Sequence, residues 1–218
     1  MLNKMRGFTL AEVLITLGII GVVAAMTLPA LIQKYRNQVV ETRLAKVYSV
    51  MNQAILRSEV DNGPKEYWDF SSEDFFEKYF APYLLKVTDT SVRQEIPYDY
   101  NGIVFTDGSM LLKKQGGYDY FFFPEAKNFS MDTLNDRTLA GSYYFPFRFV
   151  ASESHNYHTG KGFEPYKHNA TDGRNAEDYL ISGDQYSCNT TSAIPMYCTA
   201  LIQRNGWKIP KDYPFKVR

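Results

Sequence analysis

Apolar residues are arranged along this chain in three different ways. From Phe8 to Ile32 they surround the chain on every face: Glu12 is the one ionisable side chain, and there is none from Val13 to Ile32. Twenty uncharged residues at a rise of about 1.5 Å each span roughly 30 Å as a helix, the thickness of a bilayer's hydrocarbon core. From Gln33 to Asp61 the pattern narrows to one stripe. Val40, Leu44, Val47, Tyr48, Met51, Ala54 and Ile55 recur at helical steps, which predicts an amphipathic helix. Arg36, Glu41, Arg43, Lys46, Arg57 and Glu59 are assigned to its other faces. Asn62-Gly63-Pro64 ends it, because Gly suits a C-terminal cap and Pro cannot continue a helix. The two patterns join into one helix from Phe8 to about Val60, roughly 80 Å long. One small domain cannot cover such a helix, so its first half needs lipid or other copies of the chain.

Past residue 66 the pattern is short, aromatic and interrupted. Of the aromatic residues only Phe8, Tyr35 and Tyr48 come earlier, and every proline but Pro29 lies after residue 63. Ser71-Ser72-Glu73-Asp74 predicts a helix start, with serine at the cap and acids in the first turn. Phe75, Phe76, Tyr79, Phe80 and Leu84 follow at helical spacing until Pro82 shortens it. Ile103-Val104-Phe105 and Met110-Leu111-Leu112 around Asp107-Gly108 predict a β-hairpin. Tyr118–Phe123 and Tyr143–Val150 are strand candidates, which Pro124 and Pro146 mark as short, bulged or at an edge. Residues 151–195 read as a long loop, Thr199–Gln203 as a helical turn, and Trp207-Lys208-Ile209 as a last strand. The fold class is α+β: an antiparallel sheet packed on the outer half of the long helix.

Charge sharpens this picture. The 218 residues carry 24 Lys+Arg against 24 Asp+Glu, so the net charge is zero. A balanced chain has no electrostatic footprint for nucleic acid. The mean hydropathy of -0.34 excludes a polytopic membrane protein. A basic start followed by an apolar run fits a secretory signal peptide, a single-span anchor or a buried core helix. The run is long for the first, lacks a small-x-small cleavage site, and is longer without charge than a core helix needs. Glu12 separates these readings. A carboxylate in an apolar helix costs about 2.5–3.5 kcal/mol on insertion scales and marks function. No Lys or Arg lies near it on the apolar helix. A cut after Gly7 would create a cation, the α-amino group of Phe8, four residues away.

Gly7 to Pro29, G-F-T-L-A-E-V-L-I-T-L-G-I-I-G-V-V-A-A-M-T-L-P, resembles the signal of type IV pilins and type II secretion pseudopilins. The resemblance extends from Met1 to about Leu56. It implies that a prepilin peptidase cuts between Gly7 and Phe8 and methylates the Phe8 amine. Glu12 then pairs with the Phe8 amine of a neighbouring subunit, which favours assembly and sets register. Gly21 and Pro29 sit where this family loosens its helix in the filament, consistent with low helix propensity and a missing donor. The tail from Cys198 to Pro214 is also similar to tails of prepilin-type proteins. The expected organisation is a leader at 1–7, a membrane or filament-core helix at 8–32, its amphipathic half at 33–62, and a head at 63–218. The expected location is the bacterial inner membrane, crossed once, with the head outside the cytoplasm, and then a pilus or pseudopilus. Expected partners are copies of itself and other pilins, the peptidase, the inner-membrane assembly platform and the lipid bilayer.

That topology puts both cysteines, Cys188 and Cys198, in an oxidising compartment and suggests a disulfide closing a small loop. Many type IV pilins carry such a C-terminal loop. His155, His158 and His168 read as solvated loop residues, since no carboxylate partner is fixed by spacing. Asp172, Asn175, Glu177 and Asp178 fit no EF-hand order; some pseudopilins bind Ca²⁺ in a loop near here, and otherwise no cofactor or metal is expected. No phosphate loop, nucleophile elbow or dinucleotide fingerprint occurs, so no catalytic residue is assigned and the chain reads as an enzyme's substrate rather than an enzyme. Two further functions stay open: a minor pilin whose head binds a surface, ligand or incoming DNA, and a membrane-anchored extracytoplasmic protein.

Overall fold

A computed structural model of the chain describes residues 9–84, 86–87, 96, 100–152, 160–167 and 177–218. One helix, α1, runs without a break over Leu10–Asn62. Gly63 caps it and Pro64 follows. Its outer half buries the stripe that the sequence predicts, Val40, Leu44, Val47, Met51, Ala54 and Ile55, with Tyr48 half-buried beside it. Glu41 departs from the expectation: it lies on the buried side.

The stripe packs on an antiparallel sheet of six strands in sequence order: β1 (Lys86–Val87), β2 (Tyr100–Phe105), β3 (Met110–Lys114), β4 (Asp119–Phe123), β5 (Phe145–Val150) and β6 (Gly162–Pro165). The predicted hairpin is β2–β3, turning at Thr106–Ser109, where Gly108 N donates to Phe105 O at 3.0 Å. Both edge strands are short, which limits the unpaired backbone available to other chains.

The strands place apolar residues at consecutive positions because both faces of the sheet are covered. Leu111, Tyr120, Phe122, Phe145, Phe147 and Phe149 point into a cluster with α1 and the short helix α2 (Phe75–Tyr79). Met110, Leu112, Phe123 and Tyr144 point the other way. There they meet Leu134 of α3 (Met131–Asn135), Leu180 of α4 (Glu177–Ser182), and Cys198 and Leu201 of α5 (Cys198–Arg204). This second layer follows from period-two alternation with apolar residues on both faces. Trp68 knits the first cluster, stacking on Tyr79 at 4.5 Å and on Phe149 at 5.8 Å.

Several expectations need correction. Neither Ser71 nor Ser72 caps α2, which begins at Phe75 with Asp74 before it and no side-chain cap. Ser71 instead donates to Asp69 at 2.6 Å, a local turn that competes with a helix start. β5 is a central strand of six residues, neither short nor at an edge. Pro146 brings no donor to the ladder, but its carbonyl still accepts from Tyr166 N at 3.2 Å. Residues 151–195 are not all loop, since they contain β6 and α4. Trp207–Ile209 forms no strand: Trp207 sits at φ 62° in a turn, and the Ile209 amide is taken by the Glu41 carboxylate at 3.0 Å.

Candidate assembly site

Among the described residues the inner half of α1 is exposed along nearly its whole length. Of its apolar side chains, Leu14, Ile15, Leu17, Ile19 and Ile20 each expose 60–63%. Those are values for a helix shielded only by itself. It is one helix long and apolar enough to cross a membrane. The helix passes through Gly21 and Pro29 without interruption. Gly7 and Phe8, the expected cleavage and methylation positions, lie outside the described residues.

Glu12 stands in the first turn, and its environment shows something the sequence reading missed. Thr9 N and Thr9 Oγ1 both donate to Glu12 Oε2 at 2.8 Å, while Glu12 N donates to Thr9 Oγ1 at 3.2 Å. This is a capping box, in which Thr and Glu three apart satisfy each other's backbone donors. The T-L-A-E spelling carries that signal in the sequence. Among the described residues Glu12 is therefore held by hydrogen bonds and faces no counter-ion. Those bonds lessen the cost of desolvating the carboxylate but supply no positive charge.

The outer half of α1 is clamped to the head by polar side chains. Arg43 donates to the carbonyls of Pro124 and Asp107. Lys46 pairs with the Asp107 carboxylate at 2.8 Å. Burial pushes the Asp107 carboxyl up, but hydrogen bonds from Lys46 and Ser109 outweigh it and hold it below the usual carboxylate range. Asn52 completes the edge of β6: its Nδ2 donates to Phe163 O at 2.9 Å and its Oδ1 accepts from Phe163 N at 3.2 Å. Gly162 allows that approach, since a Cβ there would lie 2.6 Å from Ile55 Cδ1. Sequence patterning placed Glu41 and Arg43 on outer faces; both instead anchor other segments.

On the far side of the sheet Cys188 and Cys198 form a disulfide across a separation of 10 residues. It packs on Gly141, at φ 79°, where a Cβ would meet Cys198 Sγ at 2.6 Å. The Gly141 carbonyl accepts from Tyr213 Oη at 2.6 Å. Beside the disulfide, Asp184 accepts from Tyr197 Oη at 2.8 Å and Tyr179 Oη at 3.1 Å. Most aromatics of the head are thus core, although Tyr67 and Tyr118 are exposed. His155, His158, His168, Asp172 and Asn175 lie outside the described residues, and Glu177 and Asp178 open α4. Among the described residues no three or more potential metal ligands come together.

Two family models match successive parts of the chain. Residues 2–28 match the prokaryotic N-terminal methylation motif, the prepilin-type signal. The motif supports a type IV pilin- or pseudopilin-type protein, a structural class rather than an enzyme. No curated protein matches the chain, and no solved structure does. The second match begins just past Pro29 and takes in the outer half of α1 and the whole head. Because residues 30–217 match the model of a family of unknown function (DUF6613), the chain belongs to that family.

Proposed function

We propose that this protein is a subunit of a type IV pilus-like or type II secretion pseudopilus filament. Residues 1–7 are a leader, 8–32 a membrane and then filament-core helix, 33–62 its amphipathic half, and 63–218 the head. A prepilin peptidase cuts between Gly7 and Phe8 and methylates the new amine. The chain then crosses the bacterial inner membrane once, with its head outside, and an assembly platform moves it into a filament of its own and related copies. There Glu12 exchanges the neutral donors of Thr9 for the Phe8 amine of a neighbour. Gly21 and Pro29 let the helix loosen as the subunits pack.

The observation that carries this reading is the inner half of α1: apolar on every face, uncovered by its own head, and charged only at Glu12. Lipid covers such a surface before assembly and other helices cover it afterwards. Mass spectrometry of the membrane or filament fraction tests the reading. A chain beginning at N-methylated Phe8 is expected. An intact Met1, or a chain cut near Ala25, overturns it.

A further inference from the structure

The last segment of the chain, Trp207–Arg218, is laid down the side of α1 toward the membrane end. Trp207 packs on Tyr48, with ring centroids 5.1 Å apart. Ile209 N and Lys208 Nζ bind Glu41 at 3.0 and 2.9 Å. Gln33 Nε2 reaches Val217 O at 3.3 Å, and Val217 is fully buried. The contacts move from Tyr48 to Gln33, about 22 Å down the helix axis. They finish one residue beyond Ile32, where the uncharged run ends. The segment is pinned on its other side as well: Ser142 Oγ donates to Lys216 O at 2.7 Å and Arg218 N donates to Ser142 O at 3.0 Å. It is a strap fixed in place rather than a loose tail.

This strap gathers charge at the base of the head. Lys211, Lys216 and Arg218 are exposed, and so are Lys34 and Arg36 on the first turns of α1 beyond the apolar run. Asp212 is the one acid within 207–218, and there is none within 33–40. None of these five cations makes an ion pair among the described residues. Within the strap Lys208 faces the Glu41 carboxylate, and elsewhere Lys46, Lys65, Lys127 and Arg148 each face one. Tyr35, 66% exposed between Lys34 and Arg36, is the residue type that favours the headgroup level of a bilayer.

We infer that this basal collar binds the anionic headgroups of the bilayer that the apolar helix enters. The inference rests on the membrane-spanning reading and adds a partner for the strap. A helix that crosses the bilayer with its uncharged run brings the collar to within a few ångströms of the headgroup phosphates, inside the Debye length of about 8–10 Å. Each cation held there favours the anionic surface about fivefold. The collar would hold the unassembled subunit's head against the membrane, and extraction into a filament would break those contacts.

The test uses the full-length protein reconstituted in nanodiscs, with hydrogen exchange of residues 207–218 as the readout. Discs of phosphatidylcholine alone are compared with discs containing about 30% phosphatidylglycerol. Exchange of the strap is expected to slow by about threefold or more in the anionic discs, and to recover in about 0.5 M NaCl, where screening is short-ranged. The combined variant Lys34→Gln, Arg36→Gln, Lys211→Gln, Lys216→Gln, Arg218→Gln should lose the slowing, while Lys127→Gln keeps it. Equal exchange in the two disc types overturns the inference, and so does slowing that survives in the combined variant. Inorganic phosphate added to neutral discs distinguishes a soluble anion: if it reproduces the slowing, the collar is not a lipid site. A chain that fails to enter neutral discs overturns the membrane reading itself, whereas one that enters them without lipid-dependent protection overturns only the collar.

Discussion

The two halves of α1 are built from similar apolar residues and have opposite fates. Leu17 exposes 60% of its surface and Leu44 none, though both are leucines of one unbroken helix. The difference lies in periodicity. Around Leu44 the apolar positions form a stripe, and one sheet face covers a stripe. Around Leu17 they surround the helix, and no single head of this size can cover every face. The outer half is therefore stabilised within the chain. The inner half has to be stabilised by something outside it, and the sequence places its single carboxylate at the start of that uncovered region.

The largest effect should come from separating the two tasks of Glu12. Glu12→Gln keeps an acceptor for Thr9 and removes the charge, whereas Glu12→Ala removes both. If the charge pairs with a neighbour's amine, both variants should lower filament yield by more than about a hundredfold, since leaving a buried charge without its partner costs several kcal/mol. Both should still be cleaved, and urea unfolding of the head should be unchanged. Filaments from Glu12→Gln at normal yield would show that capping alone is needed. The second test uses the leucines themselves. Leu44→Ala should destabilise the detergent-solubilised chain by about 3 kcal/mol, as a buried Leu-to-Ala change does. Leu17→Ala should leave head unfolding within about 0.5 kcal/mol. Equal effects would mean that the halves are not independent.

The same contrast explains what could be read from the sequence. The helix over Leu10–Asn62 was legible from end to end because its inner half is an uncharged run long enough to span a bilayer and its outer half carries a stripe at helical spacing. The β2–β3 hairpin was legible because Asp107-Gly108 punctuates two apolar runs. β6 was not: Gly162-Phe163-Glu164-Pro165 is only four residues long. Its first residue is glycine because Ile55 approaches there, and that contact lies 107 positions away in sequence. Trp207–Ile209 misled for a related reason. A strand needs backbone partners, and the Ile209 amide finds a carboxylate from α1 instead. At the candidate site Glu12 was legible as a misplaced charge, whereas its pairing with Thr9 was spelled in T-L-A-E and overlooked. Periodic contacts are visible in one dimension; single side chains that satisfy distant backbone groups are not.

The layer on the far side of the sheet gives the next test, since it touches neither half of α1 through the disulfide. Cys188→Ser with Cys198→Ser should lower head stability by about 2–3 kcal/mol, the loop-entropy value for a separation of 10 residues. The loss should match that of the parent protein under reductant. Protection of the amides in the outer half of α1 should persist at denaturant concentrations where the variant is still folded. Loss of that protection before global unfolding would mean that the disulfide layer also holds the helix.

The smallest effect tests the polar clamp of the outer half. Asp107 is paired with Lys46 at 2.8 Å and accepts from Ser109 at 2.6 Å. Its folded-state carboxyl titrates below the usual range, because those bonds outweigh the opposing effect of burial. The sign follows: the unfolded chain binds this proton more readily than the folded one. The contribution is therefore complete above the unfolded value of about 4 and disappears as pH falls through the lower folded value. Half of the Lys46 side chain is exposed, so screening keeps the contribution below about 1 kcal/mol. Urea unfolding of the parent and of Asp107→Asn should differ by that amount at neutral pH and converge as the pH is lowered below 4. A difference that persists at low pH would assign the stabilisation to the Ser109 turn rather than to charge. The clamp on the outer half would then depend on hydrogen bonds alone, as Glu12 does in the single chain at the inner half.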